Sequence, residues 1–213
     1  MHNCPNILIF TVILLLSLVN KVQAGNAYAG NITYIYGHCG ECHGKNALGS
    51  KKNKAPTIAG LQEWYIIEQL KKFRYGIRGA NKEDSSGKVM APLSKMLDGD
   101  KAIEDLAAHL SGLKGKTVHE LIGNKVTGKR LYKELCISCH GDRAQGNLIF
   151  KAPKLTGMND WYIYSQLKKF KSNVRGAHHK DIGGAQMQAV AKMIPTTVAM
   201  KDISVYISTI IVK

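Results

Sequence analysis

Apolar residues between positions 60 and 75 set the first expectation. Trp64, Ile67, Leu70 and Phe73 recur every three residues, and Trp161, Tyr164, Leu167 and Phe170 repeat the pattern further along. That spacing puts an apolar stripe on one face of a helix. Each stripe runs into a residue that readily takes the left-handed conformation ending a helix, Gly76 in the first and Asn173 in the second. A second pair of stripes follows, Ile103, Leu106, Ala107, Leu110 and Leu113, then Met200, Ile203, Ser204, Ile207 and Ile210. Short β-rich runs are absent, so the pattern predicts an all-α fold.

One apolar run does not belong to that fold. Ile7 to Val19 is apolar except for Thr11 and Ser17, and Val22-Gln23-Ala24 follows as a small-residue cleavage site. Residues 1–24 read as a secretory signal peptide. The flank before the run holds only His2 and the amino terminus, with no Lys or Arg. The alternative is an uncleaved anchor, but the run is short of the roughly 20 residues of a spanning helix. Export implies an oxidising compartment.

The remaining chain repeats itself. Residues 39–80 laid over 136–177 without a gap are identical at 21 of 42 positions. KAPTIAG at 54–60 meets KAPKLTG at 151–157, WYIIEQLKKF at 64–73 meets WYIYSQLKKF at 161–170, and IRGA at 77–80 meets VRGA at 174–177. Repetition of this length indicates a duplicated domain. Two domains are expected, at 25–118 and 119–213, joined within LKGKTVHELIGN at 113–124. The whole chain has 213 residues, 7% of them aromatic. Two small domains of that composition have thin cores that other apolar mass would complete.

The cysteines suggest what that mass is. Cys4 leaves with the signal peptide, and the other four, Cys39, Cys42, Cys136 and Cys139, lie in CGECH and CISCH, 97 residues apart. CxxC is read as a redox dithiol, as part of a zinc site, or, when His follows, as a c-type haem attachment. The dithiol reading wants a βαβ context that is missing. Zinc wants four ligands, and no further cysteine is available. The haem reading uses every residue: two thiols form thioethers to the porphyrin, and His43 or His140 binds iron from below. The second axial ligand should lie at matching positions in both halves. Two methionine pairs keep the 97-residue offset, Met90 with Met187 and Met96 with Met193, whereas no histidine outside the motifs does. The spacing alone does not rank the two pairs. A thioether ligand raises the potential of haem iron.

These units, with the APxxxG and WYxxxQLKKF segments, the RGA stretch and a Met before a final helix, resemble the class I cytochromes c. The tandem arrangement is similar to the dihaem cytochrome c4 family, over about 30–210. The resemblance implies two tandem cytochrome c-like domains, each wrapped around one covalently attached haem c. It implies Met90 and Met187 as the distal ligands and the carbonyls of Pro56 and Pro153 as acceptors for the proximal histidine rings. It places Trp64 and Trp161 at the haems or their propionates, plain core being the alternative. Arg78 and Arg175 suit propionate carboxylates by charge and shape, a solvated loop end being the alternative. The family carries a glycine in the first helix of each domain. Gly128 fits, but the first domain has Asn31 at that position and Gly30 one residue earlier. His178-His179 and Lys51-Lys52-Asn53-Lys54 are read as exposed loops.

Charge bears on partners. The full chain is +15; residues 25–120 carry +4 and residues 121–213 carry +10. Export and haem argue against nucleic acid. A redox protein with an acidic docking patch, or an anionic membrane surface giving peripheral association, fits better, since complementary charge raises encounter rate. The resulting expectation is a periplasmic dihaem cytochrome that carries single electrons in a respiratory chain toward a terminal oxidase. It is expected not to be an enzyme, because both faces of each iron are occupied. Two alternatives are the cytochrome subunit of an oxidoreductase, such as a flavin-containing sulfide dehydrogenase, and a dihaem enzyme with one exchangeable ligand.

Overall fold

The computed structural model describes residues 24–116 and 119–210. The expected signal segment, apart from Ala24, lies outside them, as does Cys4. The described residues form ten helices and two isolated β-bridges. In the first half these are α1 (Ala27–Tyr36), α2 (Cys39–His43), α3 (Glu63–Arg74), α4 (Ser85–Lys95) and α5 (Gly99–Gly112). The second half repeats them as α6 (Lys125–Leu135), α7 (Ile137–His140), α8 (Asp160–Lys171), α9 (Ile182–Met193) and α10 (Thr197–Ser208). None of these helices is long and apolar enough to cross a membrane.

The first and last helices of each half cross at a glycine. A Cβ on Gly30 would lie 1.9 Å from the Asp105 carbonyl oxygen, and one on Gly128 would lie 2.1 Å from that of Asp202. Only a residue without a side chain permits this approach. The same aspartates tie down the start of the first helix. Asp105 Oδ1 accepts from the Asn26 N–H at 2.6 Å, and Asp202 Oδ1 from the Asn124 N–H at 2.8 Å. Asn26 and Asn124 in turn cap α1 and α6, each accepting from two backbone N–H groups.

Gly30, not Asn31, is therefore the packing glycine of the first half. Asn26 and Gly30 precede Asn124 and Gly128 by 98 residues, whereas the motifs are 97 apart. The first half thus has one extra residue between Tyr34 and Cys39. It is absorbed at the break Gly37–His38, where His38 takes left-handed backbone with φ 56°. In the second half α6 runs directly to Cys136.

The stripes of α3 and α8 are helical, and their C-terminal halves, Leu70, Phe73, Leu167 and Phe170, are buried as the spacing suggests, while the inner face turns away from the N-terminal halves. The buried residues are Ile66, Gln69, Leu70 and Phe73 in α3, and Asp160, Ile163, Gln166, Leu167 and Phe170 in α8. Trp64, Ile67, Trp161 and Tyr164 are half-buried on the flank. Gly76 and Asn173 do end these helices at positive φ, 68° and 60°.

Contacts between the halves keep the 97-residue rule. The Thr57 N–H donates to Asn159 Oδ1 at 2.7 Å, and the Lys154 N–H to Gln62 Oε1 at 2.8 Å. At the centre Gln69 Oε1 accepts from Arg78 Nη1 (2.8 Å) and Arg175 Nη2 (2.9 Å). Gln166 Oε1 accepts from Arg175 Nη1 (2.9 Å) and Arg78 Nη2 (3.1 Å). Tyr162 and Tyr65 complete the array, their hydroxyls 2.9 and 3.4 Å from Arg78 and Arg175. Asp160, fully buried, accepts from the Glu120 and Leu121 N–H groups at 2.9 Å each, which fixes the connecting segment to the second half.

Candidate haem sites

His43 and His140 close the two CxxCH helices and are both buried, 6% and 4% exposed. Their Nδ1 atoms lie 2.9 and 2.8 Å from the carbonyl oxygens of Pro56 and Pro153. A carbonyl can only accept, so Nδ1 carries the proton and Nε2 keeps its lone pair. Burial pushes both imidazoles below their ordinary pKa, with the carbonyl bond partly opposing it. Each is therefore a neutral, oriented nitrogen donor, the form that binds metal.

The loop around each histidine is braced from the first helix. The Tyr34 hydroxyl donates to the Gly44 carbonyl at 2.7 Å, and Tyr132 to the Gly141 carbonyl at 2.6 Å. The spacing of the halves could have exposed this pair, but its offset is 98 residues and a gap-free repeat at 97 hides it.

In the second half Cys136, Cys139, His140 and Met187 line one cavity, together with Pro153, Leu167 and Phe170. Arg175, Asp181 and Phe150 line the same cavity. Cys39, Cys42, Cys136 and Cys139 are all free of disulfides. Among the other methionines of interest, Met90 and Met187 are half-buried against the core, while Met96 and Met193 are 79% and 64% exposed.

A chemical test of what fits comes from unpartnered donors. Trp64 Nε1, Trp161 Nε1, Arg78 Nε and Arg175 Nε are buried and find no acceptor among the described residues. They form two pairs 97 residues apart, so the feature is built twice. Buried donors require acceptors, and cationic ones favour carboxylates. A group that offers two thioether-forming vinyl positions, a metal centre and carboxylates matches this set in each half. A fifth unpartnered donor, Gln188 Nε2, has no counterpart in the first half, where Ala91 stands.

Comparison with known proteins decides the family. The Cytochrome c family model matches residues 27–114 and again 126–210. The chain belongs to the cytochrome c family. It is 29% identical over 179 residues to cytochrome c4 of Azotobacter vinelandii, covering 78% of this chain and 82% of that protein. It is 31% identical over 175 residues to a thiosulfate dehydrogenase electron acceptor of Thiomonas intermedia, covering 73% and 76%. Among solved structures it resembles reduced recombinant cytochrome c4 from Pseudomonas stutzeri, with a TM-score of 0.67 and 26% identity over 88% of this chain and all of that one. The molecule is thus two tandem cytochrome c domains with two covalently attached c-type haems, and it is a dihaem electron carrier.

The exposed loops differ between the two domains. Lys51, Lys52, Asn53 and Lys54 of the first are all exposed, and Lys51 pairs with Glu120 at 3.1 Å. The matching residues of the second are Leu148, Ile149, Phe150 and Lys151, with Ile149 88% exposed. His178 and His179 stack on one another, ring centroids 4.5 Å apart.

Proposed function

We propose that this cytochrome is a periplasmic one-electron carrier of a respiratory chain, handing electrons toward a terminal oxidase, with both irons six-coordinate. Cys39 and Cys42 would anchor one haem and Cys136 and Cys139 the other. His43 with Met90, and His140 with Met187, would supply the axial ligands. The observation that carries this reading is that His140 and Met187 line one cavity, with the same residues repeated in the first half.

The exposure of Met96 and Met193 supports the choice of Met90 and Met187, because a buried iron needs a sulfur that reaches inward. Trp64, Trp161, Arg78 and Arg175 would hold the propionates, which supply the acceptors these donors lack. The haems would supply the ferrous–ferric couple that takes up and releases one electron. The protein's part is to fix the histidine ring through Pro56 or Pro153, exclude water, and keep the sulfur in place.

If His43 and Met90 hold one haem and His140 and Met187 the other, no position would remain for substrate, and the carrier itself would catalyse nothing. Partners would be redox proteins with acidic docking surfaces, supported by the excess of basic side chains in the second half. Peripheral membrane association would follow from the same charge. The likeness to a thiosulfate dehydrogenase electron acceptor favours a second reading, in which the electron donor is an enzyme of sulfur oxidation.

The near-infrared spectrum of the oxidised holoprotein tests the ligand set. Its methionine-to-ferric-iron band should fall by about half in Met90→Ala and again by about half in Met187→Ala, one methionine being lost from one of two haems. Each variant, once reduced, should bind carbon monoxide at one haem, and the unaltered protein should bind little. A full band in either variant would move that ligand to Met96 or Met193. Half a band in the unaltered protein would bring forward the enzyme with an exchangeable ligand.

A further inference from the structure

Each methionine-bearing helix begins with an aspartate that the opposite domain also grips. Asp84 caps α4 and Asp181 caps α9, and they are 1% and 2% exposed. Each accepts a helix N–H at 3.0 Å, from Gly87 and Gly184 respectively. The same Oδ1 of Asp84 accepts from Lys169 Nζ at 2.6 Å, and that ammonium also donates to Ser86 Oγ at 2.6 Å. Lys169 belongs to α8 of the other domain. Reciprocally, Lys72 of α3 lies 2.7 Å from Asp181 Oδ1. All four residues keep the 97-residue offset.

The lysine changes what the cap can do. Burial alone would raise the Asp84 pKa. The hydrogen bond and charge of Lys169, helped by the Gly87 N–H and by Arg78, outweigh it and hold the carboxyl below its usual range. An ionised carboxylate at a helix N-terminus makes a charge-assisted cap and opposes the helix dipole. Without the lysine, Asp84 either stays charged and uncompensated in the interior or takes up a proton and caps more weakly. Either result loosens the first turn of α4, and Met90 lies six residues after the cap.

We propose that Lys169 is a positioning residue for Met90 and Lys72 for Met187, so that each domain secures the iron–methionine bond of the other. This rests on reading Met90 and Met187 as the distal ligands. The two clamps are unequal. Lys169 has Ser86 as a second partner, and Gly183 at the matching position offers none. Lys72 is instead shared with Glu68 on its own helix, where the other domain has Ser165. The sulfur of Met187 is therefore held less firmly than that of Met90.

The experiment displaces methionine from the ferric holoprotein with imidazole and follows the near-infrared band. A Met187→Ala background leaves only the band of Met90. On it Lys169→Met should raise imidazole affinity roughly tenfold, the scale of one lost charge-assisted hydrogen bond, while Lys72→Met should change it little. A Met90→Ala background should give the mirror result. Lys169→Arg should restore most of the effect, and Ser86→Ala should give a partial one of about two- to threefold at the Met90 haem only, which serves if Lys169→Met folds poorly. With both methionines present, imidazole should enter the Met187 haem first. Unchanged affinity in both Lys169→Met and Ser86→Ala would overturn the proposal, as would equal change at both haems, which indicates general loosening of the interface. If Met187→Ala alone leaves the full band, the ligand assignment has failed, and that result is separate.

Discussion

Replacing Arg78 with alanine is expected to destabilise the holoprotein by about 3 kcal/mol, because it strands acceptors that the guanidinium now satisfies. Arg78 is 8% exposed and bonds Gln69, Gln166 and Tyr162, two of them in the other domain. It also stacks over Phe73, 4.5 Å from the ring centroid. Tyr162 registers the field of this cluster. Burial would raise its pKa, but Arg78 and Arg175 bring it below the usual phenol value. Urea denaturation followed by absorbance should show a lower midpoint with little change of slope. The Arg78→Ala, Arg175→Ala double variant should cost less than twice either single change, since both cations share the Gln69 and Gln166 oxygens. A loss below about 1 kcal/mol would mean that the hydrogen bonds to Gln69, Gln166 and Tyr162 add little to stability.

Gly128→Ala should be comparably damaging, costing about 3 kcal/mol. Its new Cβ would meet the Asp202 carbonyl oxygen at 2.1 Å and Tyr206 Cβ at 2.8 Å. Neither atom of that carbonyl can rotate away, so α6 and α10 would have to part. Gly30→Ala should behave alike, whereas Asn31→Ala should change stability by no more than about 0.5 kcal/mol. Thermal unfolding of the three variants distinguishes the two registers of the first helix. A harmful Asn31→Ala beside a tolerated Gly30→Ala would mean that the crossing lies one residue later.

Much of the architecture was legible in the chain. The recurrence of WYxxxQLKKF implied paired helices, and the Ile103–Leu110 and Met200–Ile207 stripes are buried against the first helices as their spacing suggests. Periodicity reports that a face is covered without naming its cover, so it finds Leu70, Phe73, Leu167 and Phe170 on the inner faces of α3 and α8 but not Gln69 or Gln166. Gln69 and Gln166 are polar yet buried, because the arginines of both domains bond to their oxygens. Their recurrence was visible, but repetition pairs residue 69 with 166 in sequence, whereas hydrogen bonding links each to both arginines. The extra residue before Cys39 showed only as a glycine one place early, at 30 instead of 31, for a related reason. A repeat defined from Cys39 onward cannot register a slip upstream of it, and Tyr34 with Tyr132 keeps a different offset. The two covalently attached haems were legible because each CxxCH unit is local, confined to five consecutive residues in each domain.

The contacts between the domains have a consequence beyond holding them together. Thr57 meets Asn159 while Lys154 meets Gln62, and Lys169 meets Asp84 while Lys72 meets Asp181. Exchanging the two partners of any of these four contacts yields another of the four. That is the rule of a twofold dimer interface, in which one patch recognises itself. The surface is therefore one that two separate copies of a single domain could have shared before they were joined. Joining them replaces an association that depends on concentration with one that does not, so the pair stays together at any dilution. It also frees the outside from the symmetry of the inside. Two identical subunits must wear the same surface, but two domains of one chain need not. Lys51-Lys52-Asn53 on one and Leu148-Ile149-Phe150 on the other give this molecule two different faces around one symmetric seam.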